Sequence, residues 1–237
     1  MCSSDLGLAA DGAGRIYACD PNHRTVYRWT PGGGAPEPWS TGVPGRPFLC
    51  PNWGAFAPDG SFYVTDSGGW KTRDGAILVV RRGETTLWTD EGRDFPNGCA
   101  VSPDGRELWV LESTPGAIVA YEIRPDGSAG RRRVVAEMPG TVPDGIAFAT
   151  DGSVVIACYR PDAVYRWRAD LGLQLLGHDP EGTVLAAPTN ALFAGPGLGE
   201  ILVPNIGRWH VTRFRVPGLA GVPPFYPPAS AIDRQEA

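Results

Sequence analysis

A recurring segment constrains this chain more than any other feature. PNWGAFAPDGSFYVTDS around Asn52, PNGCAVSPDGRELWVLES around Asn97 and PDGIAFATDGSVVIACY around Asp144 share one layout, in which the anchor residue lies seven positions before the Asp of a DG turn, at Asp59, Asp104 and Asp151. A fourth copy, PTNALFAGPGLGEILVPN, anchors at Thr189, and an N-terminal copy, GLAADGAGRIYACDP, anchors at Leu6, giving intervals of 46, 45, 47 and 45 residues. One unit reads as four short strands, CAVSP, ELWVLES, AIVAYEIRP and RRRVVAEM. A four-stranded unit recurring every 40 to 50 residues or so is the pattern of a β-propeller blade. A β-sandwich has no reason to hold four intervals within two residues of one another. The expected fold is therefore all-β, a single propeller domain over residues 1–237 with about five four-stranded blades.

Composition supports this and removes other classes. The 32 Gly and 24 Pro supply frequent turns, while 42% hydrophobic and 10% aromatic residues argue against disorder. A net charge of −5 without a basic stripe excludes a nucleic-acid partner, and no apolar run approaches the roughly 18 to 20 residues of a membrane helix. Cys2, Cys19, Cys50, Cys99 and Cys158 are scattered, odd in number and without a CxxC pair, so reduced thiols are expected. His23, His178 and His210 form no zinc signature, and no Ser-hydrolase elbow, P-loop or dinucleotide fingerprint is present. Any metal would need oxygen ligands.

The terminus carries its own expectation. MCSSDL matches the translation of a common sequencing adapter, and the first repeat opens abruptly at Leu6. Residues 1–6 are thus expected to be non-native and the chain to be a truncated metagenomic fragment, with a first blade and any leader lost upstream. The compartment is not legible from such a terminus, and a soluble cytoplasmic protein is the default.

Repeat register implies site geometry. The first strand of each blade lines the propeller channel, so Asn52, Asn97, Asp144 and Thr189, just before that strand, are expected around one mouth of it. All four carry side-chain oxygens. Carboxylate plus carboxamide, completed by water, suits calcium or magnesium, with manganese or zinc as further options. Asn and Asp before Gly are also ordinary turn formers, so a ligand-free structural reading stays open.

PNG at Asn97, PDG at Asp144 followed by ACY at Cys158, PTN at Thr189 and the closing LAGVPP together resemble the gluconolactonase family over about residues 7–225. It is also called the senescence marker protein, regucalcin or luciferin-regenerating enzyme family. The resemblance implies a six-bladed propeller with a divalent metal in its channel, held by a Glu of the first blade, an Asn of the third and an Asp of the fourth. By matching motif, Asn97 and Asp144 would be metal ligands, Asp144 also the catalytic base, and Asn52 a substrate contact, joined by Thr189. The family Glu falls in the blade expected to be missing. Trp53 stands where lactonase members usually carry Asp, and Cys50 where some carry Arg.

The resulting expectation is a metal-dependent hydrolase of a lactone or related cyclic ester, sugar-derived, with calcium as the favoured metal and a small molecule as its partner. The alternative is a non-catalytic propeller that binds a small ligand or a protein. Three further segments are singled out. Asn205, Arg208, Trp209 and His210 form either part of the rim or a structural loop with Trp209 packed. Arg131, Arg132 and Arg133 are expected on an outermost strand, where charge discourages edge pairing. Trp70, Lys71, Arg73 and Asp74 occupy a long loop able to cover the site.

Overall fold

A computed structural model describes residues 7–234; the anchor Leu6, Cys2 and the rest of MCSSDL lie outside the described residues. The chain folds as a β-propeller of successive antiparallel sheets. The first blade comprises β1 (Leu8–Ala10), β2 (Ile16–Asp20), β3 (Thr25–Trp29) and β4 (Glu37–Ser40). A short hairpin, β5 (Gly42–Val43) and β6 (Arg46–Pro47), leads to the second blade, β7 (Pro51–Phe56), β8 (Phe62–Asp66), β9 (Ala76–Arg81) and β10 (Glu84–Thr89). The third holds β11 (Pro96–Val101), β12 (Glu107–Glu112), β13 (Ala117–Ile123) and β14 (Ala129–Glu137). The fourth holds β15 (Val142–Phe148), β16 (Val154–Arg160), β17 (Ala163–Arg168) and β18 (Gly172–His178). The last sheet has β19 (Leu192–Ala194), β20 (Glu200–Asn205) and β21 (His210–Phe214). Among the described residues no helix is long and apolar enough to cross a membrane.

The DG turns explain the repeat locally. Asp59 accepts from the Ser61 amide at 2.9 Å and Asp151 from the Ser153 amide at 3.1 Å. Gly60 completes its turn at φ 87°, a left-handed conformation that glycine adopts without steric cost. Strands β8 and β9 are buried along almost their whole length, whereas β10 and β14 are mostly half-buried to exposed. That gradient is the expected one for sheets covered on both faces near their inner strands.

The chain divides into two compact units, Met1–Leu108 with Tyr121–Arg132 and Pro224–Ala237, and Trp109–Ala120 with Arg133–Pro223. In the first, Tyr17, Val26, Phe56, Phe62, Leu78 and Ile232 form a core, with Tyr17 edge-on to Trp39 at 4.7 Å and to Phe56 at 5.0 Å. Such pairs add about 0.5–1.5 kcal/mol beyond area burial. The second is centred on Val155, Val164, Ile201 and Val203.

The C-terminal segment returns to the first blade. Gly12 donates its amide to the Pro227 carbonyl at 2.9 Å, and the short helix α1 (Ala229–Ile232) inserts Ile232 into the core. Asp233 pairs with Arg15 at 2.7 Å and Arg28 at 2.9 Å, and Arg15 reaches buried Asp11 at 2.6 Å.

Several side chains depart from the sequence reading. Cys19, Cys99 and Cys158 are buried free thiols, as expected, whereas Cys50 is disulfide-bonded, against the expectation of reduced thiols. The arginines do lie on the outer strand β14, yet Arg132 and Arg133 also cover aromatic faces, Tyr121 at 6.0 Å and Trp109 at 5.6 Å.

Candidate functional site

Asn52 is the second residue of β7, within the strand rather than before it as expected. The pairing shifts from Pro51 opposite Asp66 to Trp53 opposite Thr65, leaving Asn52 at a bulge. A bulged residue is released from the ladder and its side chain re-aimed. Its Nδ2 donates to Ser67 Oγ at 3.0 Å, and Ser67 Oγ donates to the Pro96 carbonyl at 2.7 Å. Thr65 Oγ1 donates to the Asn97 carbonyl at 2.8 Å. These bonds bring buried Asn52 and buried Asn97 to one place in the first unit.

Asp66, next in the chain to Ser67, was not singled out by sequence. It is buried and accepts backbone amides from Leu49, at 3.0 Å, and Cys50, fixing the segment that leads into Asn52. Burial raises its pKa against the opposing pull of those amides. Its signal was positional, the TDS that closes the second strand of the repeat.

The second unit repeats the device. The register shifts from Pro143 opposite Cys158 to Gly145 opposite Ala157, so Asp144 is bulged in β15 as Asn52 is in β7. Ser113 Oγ donates to the Pro143 carbonyl at 2.6 Å, as Ser67 does to Pro96. A Cβ on Gly145 would lie 2.4 Å from Asn190 Oδ1 and 2.9 Å from the Thr189 carbonyl, so only glycine allows this approach. Asp144 and Thr189 are thereby neighbours, both buried, and Thr189 donates its amide to the Pro204 carbonyl at 3.1 Å. Beneath Asp144, burial pushes the Cys158 thiol up to about 12, a rise that the nearby Asp144 charge reinforces and the Thr141 hydroxyl opposes.

The remaining candidates separate from these pairs. Asn205 is buried, accepts the Ala186 amide at 2.8 Å and donates to the Val203 carbonyl at 2.8 Å, a structural role equivalent to that of Asp66. Trp209, expected to be packed in the structural version of this loop, is 90% exposed at φ 52°. The turn from β20 to β21 carries it outward. His210 Nε2 bonds to the Val184 carbonyl at 2.9 Å.

The sequence-derived residues thus fall into two pairs, Asn52 with Asn97 in one unit and Asp144 with Thr189 in the other. Among the described residues no group of three or more His, Cys, Asp or Glu is placed to hold an ion. Taken residue by residue, Asp144 offers a carboxylate and Asn52, Asn97 and Thr189 offer neutral amide or hydroxyl oxygens, hard donors of the kind that calcium and magnesium take.

Blades whose first strands present buried amide and carboxylate side chains at bulges define a propeller with a polar inner register. The chain belongs to the family described as SMP-30/Gluconolactonase/LRE-like region, whose pattern its residues 3–205 match. It is 30% identical to Protein STRICTOSIDINE SYNTHASE-LIKE 13 of Arabidopsis thaliana, over 69% of this chain and 44% of that protein. It is 25% identical to Lactonase drp35 of Staphylococcus haemolyticus, over 62% of this chain and 48% of the relative. The chain spans about half the length of the curated relatives it matches. Among solved structures, a gluconolactonase from Xanthomonas campestris superposes with a TM-score of 0.71 at 23% identity, covering 90% of this chain and 73% of that one. Regucalcin from Agrobacterium tumefaciens, described as a calcium-binding protein, gives 0.69 at 17% identity, covering 92% and 78%.

Proposed function

We propose that this chain is a metal-dependent lactonase, a single propeller domain acting on a sugar-derived lactone or related cyclic ester. The observation that carries this reading is the shared device at Asn52 and Asp144, each buried and lifted out of its strand ladder at the same repeat position. Names of relatives as lactonase and gluconolactonase support the reaction class.

In this reading Asn97 and Asp144 would each offer a side-chain oxygen to a divalent cation, calcium being favoured. When bound, it supplies Lewis-acid polarisation of the lactone carbonyl. The Asp144 carboxylate takes the proton from the attacking water. Asn52, whose Nδ2 is committed to Ser67, offers its Oδ1 to a substrate hydroxyl, and Thr189 offers a second polar contact. The Ser67 and Ser113 bonds keep the strand starts from relaxing.

The test is a pH-indicator lactonase assay with added calcium on the 237-residue chain, beside Asp144→Asn. Loss of a general base typically lowers the rate by about 10² to 10⁴. Hydrolysis undiminished in Asp144→Asn rejects the mechanism. Calcium binding without hydrolysis across a panel of lactones favours a ligand-binding propeller instead.

A further inference from the structure

Residues 67–75 connect β8 to β9 and carry Trp70, which is 40% exposed although it has a partner. Its ring meets Phe95 edge-on at 5.1 Å and 80°, and Phe95 is held at φ 61°, a conformation uncommon for an aromatic residue. Such strain persists only where the surroundings enforce it. The loop is pinned along its length. Asp74 accepts the Gly69 amide at 2.9 Å and the Thr72 hydroxyl, Arg73 pairs with Asp94 at 3.3 Å, and the Gly75 amide reaches the Arg93 carbonyl at 3.4 Å.

Both partners of the aromatic pair spring from the site. Ser67, three residues before Trp70, is bonded to Asn52 and to Pro96. Phe95 is two residues before Asn97, so their Cα atoms lie within about 7 Å. Two segments that leave the Asn52–Asn97 pair therefore converge on one partly exposed indole, over which the Lys71 ammonium sits 5.9 Å from the ring centroid, so that the opposite face is the one offered to a ligand.

We propose that Trp70 is the substrate-contacting wall beside Asn52 and Asn97, where it stacks on the C–H face of a six-membered sugar lactone and selects such rings over open-chain esters. This rests on the lactonase reading for its substrate. A pyranose-like ring carries hydroxyls at its rim and C–H bonds on its face. The electron-rich face of an indole attracts those C–H groups while Asn52 Oδ1 accepts from a rim hydroxyl. An acyclic ester presents no such face and gains nothing from the wall.

The experiment compares the full chain with Trp70→Ala and Trp70→Phe on glucono-δ-lactone and on an aryl acetate, with calorimetric binding of the hydrolysis-resistant gluconolactam. In Trp70→Ala the KM for the lactone and the Kd for the lactam are expected to rise together, about 3- to 10-fold. The KM for the aryl acetate and the calcium affinity are expected to stay put, and Trp70→Phe to recover most of the loss. A lactone KM unchanged in folded Trp70→Ala, or an equal rise for both esters, overturns the proposal. If Trp70→Ala does not fold, Trp70→Leu keeps the bulk without the flat face and must show the same selective rise. A chain that hydrolyses no lactone yet binds the lactam in a Trp70-dependent way retains the wall and loses the lactonase reading. A chain that does neither rejects both.

Discussion

The Ser67 hydroxyl donates to the Pro96 carbonyl at 2.7 Å, joining the end of one blade's second strand to the start of the next blade's first. The same hydroxyl accepts from Asn52, so one oxygen positions a side chain in the second blade and a backbone in the third. Ser67→Ala leaves both partners buried and unsatisfied. Its expected cost is about 1–3 kcal/mol, read as a lower urea midpoint, together with a higher lactone KM.

Gly145→Ala tests the close approach in the second unit. The added methyl meets Asn190 and the Thr189 backbone well inside contact distance, so β15 or the 189–190 segment must move. Overpacking of this kind costs about 1–3 kcal/mol. The expected outcome is a lower melting temperature together with loss of lactone hydrolysis, because Asp144 is the adjacent residue. An unaltered melting curve would show that this approach is not enforced.

Asp11 gives a pH dependence with a definite sign. Burial opposes its charge, but hydrogen bonds from Arg15 and Tyr17 prevail and hold its pKa below the usual value of 3.8. A carboxylate depressed on folding stabilises fully above its unfolded pKa and loses that contribution as pH falls through the folded one. The stability gap between the wild type and Asp11→Asn is thus expected to be widest near neutrality and to close below about pH 4. Urea titrations at stepped pH measure it, and a gap that widens in acid would contradict the assignment.

The thiol of Cys158, pushed up to about 12, is expected to resist a disulfide reagent in the native protein. At pH 8 only about one such thiol in 10⁴ is ionised. Labelling should appear on adding denaturant, at the rate of unfolding. Fast labelling of Cys158 in the native state, located by mass spectrometry, would count against burial beneath Asp144.

The blades were legible because their punctuation is local. The carboxylate of Asp59 closes a turn with Ser61, two residues on, and Gly60 supplies the left-handed backbone, so the sequence carries the whole turn. The bulges at Asn52 and Asp144 were not legible, since a bulge is a mismatch between two strands and no single strand encodes it. Asp66 escaped notice, and the structural role of Asn205 was not legible, for a related reason. Each holds backbone amides 16 to 19 residues earlier in the chain, a distance with no periodic signature. Trp209 shows the converse error, for aromatic character reads as burial in a pattern while the turn that carries it points outward.

The return of residues 224–234 to the first blade bears on how the molecule is made. Ile232 fills a core that begins at Tyr17, and Asp233 bridges arginines at positions 15 and 28. On the ribosome the first blade must wait, its hydrophobic interior incomplete, until residues 224–234, about 200 positions further along, have emerged. Such late closure lengthens the interval during which chaperones can engage the nascent chain, and places the codons for residues 224–234 among those that govern the yield of folded protein.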